Sequence, residues 1–235
     1  MNRILFEKSE IENRKAVFGG ERAEHVINVL HGEVGQTLKT GEIDGKVGLS
    51  VITAVDHRLK LVSVETKHDE ESEKPWVDLV LAPPRPRVLK RLLPQLAALG
   101  VGRIILVGAK KVEKAFWGAT VIKDEISRPF FIDGLMQSGT SIMPKMEVRR
   151  NFARFLDDEL DCLFPDSNRV VAHPYAAEER LADRPGRLLL AVGPEGGWCD
   201  DEVEKMETRG FARYSLGKRI LRTDTALVAL LAKFL

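Results

Sequence analysis

Cysteine is scarce in this chain of 235 residues. The only two cysteines, Cys162 and Cys199, lie far apart in the sequence. A disulfide framework or a zinc site needs several cysteines at short, paired spacings. The sequence therefore predicts neither of these, and we expect a protein of the reducing cytoplasm without a metal site.

Long apolar runs are also absent. The N-terminal segment MNRILFEKSE lacks the apolar core of a signal peptide. No stretch approaches the roughly 20 apolar residues that a membrane-spanning helix requires. We therefore expect neither export nor insertion into a membrane.

Neither sign of charge is in excess. Lysine and arginine together number 36, aspartate and glutamate number 35, and the formal net charge is +1. Any contact with nucleic acid must therefore depend on local basic patches. Hydrophobic residues make up 44% of the chain, which is enough for one large core or two smaller ones.

Two sequence patterns meet at the charged stretch TKHDEESEKPW (Thr66–Trp76), which we interpret as a domain linker. Residues 1–70 contain one helix-like segment and three strand-like runs separated by turn signals, which predicts a small β-barrel with one helix. Residues 75–235 alternate strand-like and helix-like segments, which predicts a mostly parallel α/β sheet. Its strand-like segments are VDLVLAPP, VGRIILVGA, RVVAHPY, LLLAV and FARYSLG.

The stretch LLLAVGPEGGWCDDEVE (Leu188–Glu204) predicts a buried strand, a tight glycine turn and a helix capped by Asp200. Such turns often bind phosphate. The glycine spacing fits neither the dinucleotide-binding fingerprint nor the P-loop, and four acidic residues would repel an anion. The turn thus favours a neutral or cationic ligand such as S-adenosylmethionine, with a simple turn after a core strand as the alternative. The acidic residues are Glu195, Asp200, Asp201 and Glu202.

A second loop of this kind follows in YSLGKRILRTDTALVALL (Tyr214–Leu231). Loops at neighbouring parallel strand ends form the walls of a crevice where α/β proteins bind ligands. Arg222 lies at the predicted junction of loop and helix, and we expect a functional role for it. Lys218 and Arg219 either contact RNA or cover the surface and pair with acids of the glycine turn. His173, at a third strand end, is either a plain loop residue or a ligand contact.

The segments LAVGPEGGWCDDEVE and LGKRILRTDTA resemble the two signature loops of the SPOUT methyltransferases, specifically of the RsmE-type enzymes. These enzymes methylate N3 of a uridine in small-subunit (16S) ribosomal RNA. More weakly, EHVINVLHGEVGQTL is similar to the family's PUA-like RNA-binding domain and LAALGV to a helix end of its catalytic domain. The resemblance implies a PUA-like β-barrel domain over residues 1–70. It also implies a SPOUT-type α/β methyltransferase domain with a trefoil knot over residues 75–235.

The same resemblance implies a cofactor and partners. We expect S-adenosylmethionine as the cofactor and ribosomal RNA or the small ribosomal subunit as the partner. We also expect a cytoplasmic homodimer with no metal and no membrane contact.

Site residues follow from the two loops. Arg222 is the candidate for stabilising the imide anion that forms as uridine N3 loses its proton. Glu195 is either a base or the partner of a loop arginine. S-adenosylmethionine is expected to bind at His173, Leu190, Gly193, Glu195, Gly196, Gly197, Leu216, Gly217, Ile220, Leu221 and Thr225. RNA is expected to bind at Arg22, His25, Arg85, Arg87, Lys90 and Lys218. For the basic residues between Arg85 and Arg91, a solvated helix face is the alternative.

Departures from the family pattern fall where RNA contacts are expected. Thr140 and His31 stand where arginines are usual, and the helix segment RPRVLKRLLPQ (Arg85–Gln95) is altered. Two alternatives therefore stay open: a catalytically degenerate RNA-binding protein that keeps the SPOUT fold, and a SPOUT methyltransferase with a different RNA target. A third, an unrelated α/β enzyme that binds a phosphate-bearing nucleotide, is disfavoured by the acidic turn.

Overall fold

The structure, a computed structural model, describes residues 2–175 and 187–235. The chain forms two compact units. The first comprises Met1–Lys74 together with Ile132–Met143, and the second comprises Pro75–Phe131 together with Pro144–Leu235. The first unit thus includes a segment from the middle of the chain, which the sequence pattern did not indicate.

A curled six-stranded sheet forms the first unit. Its strands are β1 (Ile4–Phe6), β2 (Ile11–Glu12), β3 (Lys15–Phe18), β4 (Thr37–Glu42), β5 (Val47–Asp56) and β6 (Leu61–Glu70). They lie in the order β1-β4-β5-β6-β3-β2, in which β1 pairs with β4 in parallel and all other pairs are antiparallel. Buried and exposed residues alternate along β3, as expected of a strand with one face on a core.

Helix α1 (Gly20–Asn28) covers this sheet. Its side chains Ala23 and Val26 are fully buried. They join a core that also contains Phe6 and Phe18, whose ring centroids lie 5.4 Å apart. Helix α1 on a small β-unit confirms the sequence prediction for this part of the chain.

The returning segment Ile132–Met143 is bound to the first unit by the N-terminal residues. The backbone N–H groups of Asn2 and Arg3 donate to the Met136 carbonyl oxygen at 2.9 and 3.0 Å. The Arg3 Nε atom also donates to the Gly139 carbonyl oxygen at 2.7 Å. These contacts join residues that are distant in sequence, so a local pattern cannot reveal them.

The predicted linker, Thr66–Trp76, is wrong in its first part. Strand β6 continues to Glu70, and His68 pairs with Gly48 of β5. The hydrogen bonds of this ladder outweigh the weak strand preference of charged side chains.

The second unit is built on a six-stranded parallel sheet. Its strands are β7 (Val77–Leu81), β8 (Val101–Val107), β9 (Lys145–Arg149), β10 (Asn168–Ala172), β11 (Leu188–Val192) and β12 (Ala212–Tyr214). They lie in the order β12-β10-β11-β7-β8-β9, and every pair is parallel. All carboxyl ends therefore lie along one edge of the sheet. The predicted parallel α/β sheet is confirmed.

The described residues after β7 contain six α-helices, and the second of them continues into the first unit. They are α2 (Pro86–Ala98), α3 (Asp124–Ser138), α4 (Phe152–Arg154), α5 (Leu160–Leu163), α6 (Asp200–Thr208) and α7 (Thr223–Phe234). A π-helical stretch, Phe155–Glu159, connects α4 and α5. The sequence pattern missed α4, the π-helical stretch and α5. It also missed β9, an edge strand without a buried residue.

The centre of the parallel sheet is formed by β7 and β11, whose residues are all buried. Asp78 is the polar exception in β7. Its Oδ1 atom accepts hydrogen bonds from the Arg103 backbone N–H at 2.7 Å and from Arg187 Nη2 at 2.8 Å. Burial raises the pKa of Asp78, and the Arg187 charge opposes that rise. Asp78 thereby connects β7 to residues of β8 and to the residue that precedes β11.

Within the described ranges, no helix has the length and apolar character needed to cross a membrane. Those ranges also contain no group of three or more histidine, cysteine, aspartate or glutamate side chains arranged to hold a metal ion. Both cysteines are free thiols, with Cys162 exposed and Cys199 partly buried.

Gly108, just after β8, has no room for a side chain. A Cβ atom there would lie 1.9 Å from the Arg150 carbonyl oxygen, which belongs to the backbone and cannot rotate away. We expect Gly108→Ala to lower the free energy of unfolding by about 1–3 kcal/mol. Urea unfolding followed by circular dichroism measures this loss.

Gly118→Ala is the matched control, because a Cβ atom at Gly118 meets no atom within 4 Å. Its unfolding midpoint is expected to stay near that of the wild-type protein. Equal midpoints for the two variants would contradict the clash at Gly108.

Candidate functional site

A crevice of about 470 Å³ opens at the carboxyl ends of β10, β11 and β12. These strands are neighbours in the sheet. The order in which the chain adds strands reverses here, because β11 lies between β10 and β7, whereas β12 lies on the other side of β10. Ligands of open α/β sheets bind at such points. The crevice is lined by residues 172–175, 192–198, 214–217 and 219–221, by Lys111 and Asp200, and by Thr223, Ala226 and Leu230 of α7.

The glycine turn after β11 forms one wall of the crevice. The Gly197 backbone N–H donates to the Pro194 carbonyl oxygen at 2.8 Å, which closes the turn. Gly197 has a φ of +69°, a conformation that favours glycine. A Cβ atom at Gly193 would lie 3.0 Å from the Trp198 backbone nitrogen, so the turn packs tightly on itself.

Lys111, from the loop after β8, holds the glycine turn in place. Its Nζ atom donates to the Gly196 carbonyl oxygen at 2.9 Å and to the Trp198 carbonyl oxygen at 3.4 Å. Sequence analysis missed this residue. Its one signal is the position of Lys111 just beyond a predicted strand end, where side chains of parallel sheets reach ligands.

The predicted cap of α6 is wrong, because the N-cap is Cys199 and Asp200 is the first helical residue. Glu202 completes a capping box, in which its Oε2 atom accepts from the Cys199 backbone N–H at 2.8 Å. The Glu202 Oε1 atom accepts from the Lys110 backbone N–H at 2.7 Å. Asp201 forms an ion pair with the Lys110 ammonium at 2.7 Å, which raises the pKa of Lys110 and lowers that of Asp201.

The acidic cluster is therefore divided. Only Glu195 and Asp200 line the crevice, while Asp201 and Glu202 face another part of the sheet edge. The expectation that all four carboxylates act on one ligand is corrected by this division.

The loop after β12 forms the opposite wall. The Ser215 hydroxyl donates to the Pro174 carbonyl oxygen at 3.1 Å and accepts from the Gly217 backbone N–H at 3.1 Å, which joins it to the loop after β10. Leu216 and Ile220 present apolar side chains here, and Ile220 is 76% exposed. The wall is thus apolar and accessible.

His173 lies at the end of β10 and lines the crevice. Its Nδ1 atom is 3.4 Å from the Tyr175 backbone nitrogen, and its ring meets the Tyr175 ring edge-on at a centroid distance of 5.9 Å. Burial lowers the pKa of His173, and the nearby Arg213 guanidinium lowers it further. Both effects favour the neutral imidazole.

Trp198, also missed by sequence analysis, lies at the back of the crevice and is 6% exposed. Its ring stacks on Phe152 at a centroid distance of 5.5 Å. Among the described residues no acceptor binds its buried Nε1 atom. Trp198 therefore keeps a buried N–H group that has no hydrogen-bond partner in the part of the chain that the structure describes.

The predicted cofactor residues converge on this crevice, with two exceptions. Leu190 is fully buried inside β11, and Thr225 is exposed on α7. The other positions line the crevice. They are His173, Gly193, Glu195, Gly196, Gly197, Leu216, Gly217, Ile220 and Leu221.

The two predicted catalytic residues lie in different settings. The Glu195 Oε1 atom accepts from the Arg85 backbone N–H at 3.0 Å, at the start of α2. Arg222 is the N-cap of α7, outside the crevice lining, and its side chain is 74% exposed. Asp224 lies between two arginines, with Oδ1 3.5 Å from Arg222 Nε and Oδ2 2.8 Å from Arg91 Nη2.

The predicted RNA-binding residues are distributed over both units. In the first unit, the Arg22 guanidinium donates to the Leu5 carbonyl oxygen at 2.8 Å and pairs with Glu10. His25 has a buried Nε2 atom without a partner among the described residues. In the second unit the candidates are exposed, and Lys90 lies 5.0 Å from the Phe130 ring centroid. These exposed residues are Arg85, Arg87, Lys90 and Lys218.

A ligand crevice at the carboxyl ends of parallel strands, walled by a glycine turn, defines the second unit as an α/β ligand-binding domain. Residues 70–235, well over half of the chain, match the family model of the RNA methyltransferase domain, and the chain belongs to this family.

Three known proteins resemble the chain over nearly its whole length. Ribosomal RNA small subunit methyltransferase E of Treponema pallidum (strain Nichols) is 28% identical over 97% of this chain and 88% of its own length. The enzyme of that name from Neisseria gonorrhoeae, crystallised with S-adenosyl methionine, matches with a TM-score of 0.76 at 22% identity, covering 100% of this chain and 96% of its own. A putative methyltransferase from Legionella pneumophila, in complex with SAM, has a TM-score of 0.75 at 24% identity, with coverages of 99% and 96%.

These likenesses confirm two predictions. The fold is a PUA-like β-unit together with a SPOUT-type α/β domain. The resemblance to RsmE-type enzymes, inferred from the two loops, is confirmed by the family match and the relatives.

The pKa of His173 provides a test of the crevice geometry. We expect it to lie below the ordinary value of 6.5, and Arg213→Gln is expected to raise it toward that value without reaching it. Burial, the larger cause, remains in the variant. The substitution also frees Glu207, the ion-pair partner of Arg213, whose charge favours the imidazolium. NMR titration of the His173 ring protons measures the pKa.

The lowered pKa of His173 also predicts how the stability of the protein depends on pH. The unfolded chain binds the His173 proton more tightly than the folded chain does. The free energy of unfolding therefore falls as the pH drops from the unfolded pKa, near 6.5, through the lower pKa of the folded protein. Arg154→Gln, which removes an exposed arginine paired with Asp158, is the control. An unchanged His173 pKa in Arg213→Gln would contradict the effect of the Arg213 charge on the imidazole.

Proposed function

We propose that this chain is an S-adenosylmethionine-dependent methyltransferase that methylates N3 of a uridine in small-subunit (16S) ribosomal RNA. Membership of the RNA methyltransferase domain family and the name of the Treponema relative support RNA methylation. The bound ligand of the Neisseria structure supports the cofactor. The observation that carries the proposal is the crevice at the ends of β10, β11 and β12, whose residues suit this cofactor.

The size and lining of the crevice support S-adenosylmethionine as its ligand. Its volume of about 470 Å³ lies in the usual range for small-molecule sites. No atom lies within 4 Å of a Cβ position at Gly197, so a ligand can approach the backbone there. Ile220 and Leu216 offer an apolar surface for an adenine ring.

The charges of the crevice also suit this cofactor. Glu195 and Asp200 supply negative charge for the sulfonium and ammonium groups. The Lys111 ammonium is already used by two backbone carbonyl groups. Arg219 therefore remains as the cation for the cofactor's carboxylate.

When bound, S-adenosylmethionine supplies a methyl group carried on a sulfonium cation. The crevice residues would hold the cofactor, and positioning of its methyl group against the attacking nitrogen would account for a large part of the rate. Uridine N3 must also lose its proton, which leaves negative charge on the imide. In our proposal Arg222 stabilises this charge, because it directly precedes Thr223 of the crevice lining and its exposed guanidinium is accessible to RNA.

Glu195 is the candidate base for the uridine proton. One of its oxygens accepts the Arg85 backbone N–H at 3.0 Å, which leaves Oε2 for a proton. In the alternative, Glu195 only orders the start of α2 next to the glycine turn, and bulk water accepts the proton.

RNA is proposed to contact exposed cations of the second unit, with Arg22 and His25 adding contacts in the first. Arg22 is the weakest candidate, because its guanidinium already binds Glu10 and the Leu5 carbonyl oxygen. The cations of the second unit are Arg85, Arg87, Lys90 and Lys218. We further propose a cytoplasmic homodimer with a trefoil knot in residues 75–235, as the RsmE-type resemblance implies.

Binding of S-adenosylmethionine is the first test of this proposal. Calorimetric titration is expected to give micromolar affinity and about one site per chain. Ile220→Ser is expected to weaken binding about tenfold, because the ligand then covers less apolar surface.

Leu59→Ser is the matched control, because Leu59 is also an exposed apolar residue, at 64% exposure, but belongs to a turn of the first unit. Its affinity is expected to equal that of the wild-type protein. A well-folded wild-type protein that does not bind S-adenosylmethionine would refute the proposal. The catalytically degenerate RNA-binding protein would then be the better account.

Arg222→Gln tests the electrostatic role of the guanidinium. We expect the single-turnover rate of methyl transfer to small ribosomal subunits to fall about 100-fold, with the S-adenosylmethionine affinity unchanged. Labelled methyl incorporation measures the rate, and nuclease digestion with mass spectrometry identifies the methylated nucleoside.

Arg154→Gln again serves as the control for loss of one exposed arginine charge. A rate for Arg222→Gln equal to that of the control would remove Arg222 from the mechanism. Cofactor binding by the wild-type protein without methyl transfer to any ribosomal RNA would favour the catalytically degenerate alternative.

A further inference from the structure

A second cleft, of about 420 Å³, opens at the carboxyl ends of β8 and β9. It lies in the second unit, on the same edge of the parallel sheet as the crevice. Its lining combines the loop after β8, the segment after β9 and the first turns of α6. The charged and polar side chains in it are Lys110, Arg150, Asn151, Asp201, Glu202 and Lys205.

Three cations line this cleft. The Lys110 ammonium pairs with Asp201 at 2.7 Å. Arg150 and Lys205 are exposed and form no ion pair with any residue in the described ranges. Arg150 is held by Trp117, with its guanidinium 5.7 Å from the ring centroid and Nη2 3.4 Å from the carbonyl oxygen. The arginine is thus positioned although its charge is unpaired.

The two acidic residues of the cleft are already satisfied. Glu202 is 3% exposed, and its two oxygens accept backbone N–H groups of Lys110 and Cys199. The Asp201 carboxylate is occupied by the Lys110 ammonium. The lining carries three positive and two negative charges, so the cleft keeps a net charge of +1, and its cations without an ion-pair partner in the described ranges are Arg150 and Lys205.

The cleft and the crevice share a wall. Phe152 of the cleft stacks on Trp198 of the crevice, with ring centroids 5.5 Å apart and planes at 21°. At the start of α6, Asp200 lines the crevice and Asp201 lines the cleft. A polymer such as an RNA strand, bound beside the crevice, therefore reaches the cleft within a short distance.

We propose that this cleft binds a backbone phosphate of the substrate RNA, next to the nucleotide that receives the methyl group. The proposal rests on the proposed function and names a substrate contact for it. The planar guanidinium of Arg150 matches two phosphate oxygens, and Lys205 adds a point charge. Asn151 uses Oδ1 to cap α4, which leaves its Nδ2 group as a further donor. Such contacts fix the register of the RNA without reading its sequence.

The double variant Arg150→Gln/Lys205→Gln tests this site. Fluorescence anisotropy with a labelled single-stranded RNA oligonucleotide, repeated at several salt concentrations, measures affinity and its salt dependence. We expect about tenfold weaker binding, and a slope of log affinity against log salt that is smaller by about 1.4, because two phosphate contacts are lost. In methyl transfer, the KM for small ribosomal subunits should rise while the calorimetric affinity for S-adenosylmethionine stays unchanged.

Lys145→Gln/Arg154→Gln is the matched control, since it removes the same charges from exposed residues outside the cleft. Arg150→Lys should keep the salt slope and lose part of the affinity, because it retains the charge without the planar group. A double variant with the RNA affinity and salt slope of the wild-type protein would overturn the proposal. Binding of a free nucleotide in the cleft, without binding of an RNA strand there, would overturn it as well. Absence of methyl transfer by the wild-type protein would instead refute the proposed function, and the RNA titration would still decide on the cleft.

Discussion

The carboxylate of Glu202 forms the contact on which the functional edge of the sheet depends. Its side chain is 3% exposed, and its two oxygens accept the backbone N–H groups of Lys110 at 2.7 Å and Cys199 at 2.8 Å. A buried carboxylate without donors would be strongly unfavourable. With two charge-assisted hydrogen bonds at the positive end of α6 it is stable, and it fixes the first turn of that helix against the loop after β8.

Both openings take their shape from this junction. Lys110 and Lys111 are consecutive, yet Lys110 lines the cleft and Lys111 lines the crevice. Because Glu202 holds the Lys110 backbone N–H, the two side chains leave the loop toward different sides. Lys111 then binds the carbonyl groups of Gly196 and Trp198, and so the loop after β8 supports the glycine turn after β11. The crevice is thus built by side chains from strands that are not neighbours in the sheet.

Sequence patterns predicted the fold and the crevice because each depends on local signals: strand–loop–helix alternation, and glycine turns at strand ends. What they missed depends on direction or on distance. Successive residues of an α-helix point about 100° apart, so the acidic run at the start of α6 divides between two openings. The junction through Glu202 and the attachment of Ile132–Met143 join residues far apart in sequence. The predicted catalytic and binding roles of individual residues, such as Arg222 and Glu195, stay predictions.

The distribution of charge along the sheet edge bears on how two unlike ligands are held together. A sulfonium cofactor is a cation at the reacting centre, whereas RNA is a polyanion, and unit charges roughly 6 Å apart interact by about 3 kcal/mol at an effective dielectric constant of 20. One mixed site would bind each ligand poorly, because charges suited to one would oppose the other. In our proposal the crevice, with Glu195 and Asp200, holds the cofactor, and the cleft, with Arg150 and Lys205, holds an RNA phosphate. The stacked rings of Trp198 and Phe152 lie between the two openings. In the cleft the carboxylates of Asp201 and Glu202 are bound by the Lys110 ammonium and by backbone N–H groups, so Arg150 and Lys205 are the charged groups there without an ion-pair partner in the described ranges.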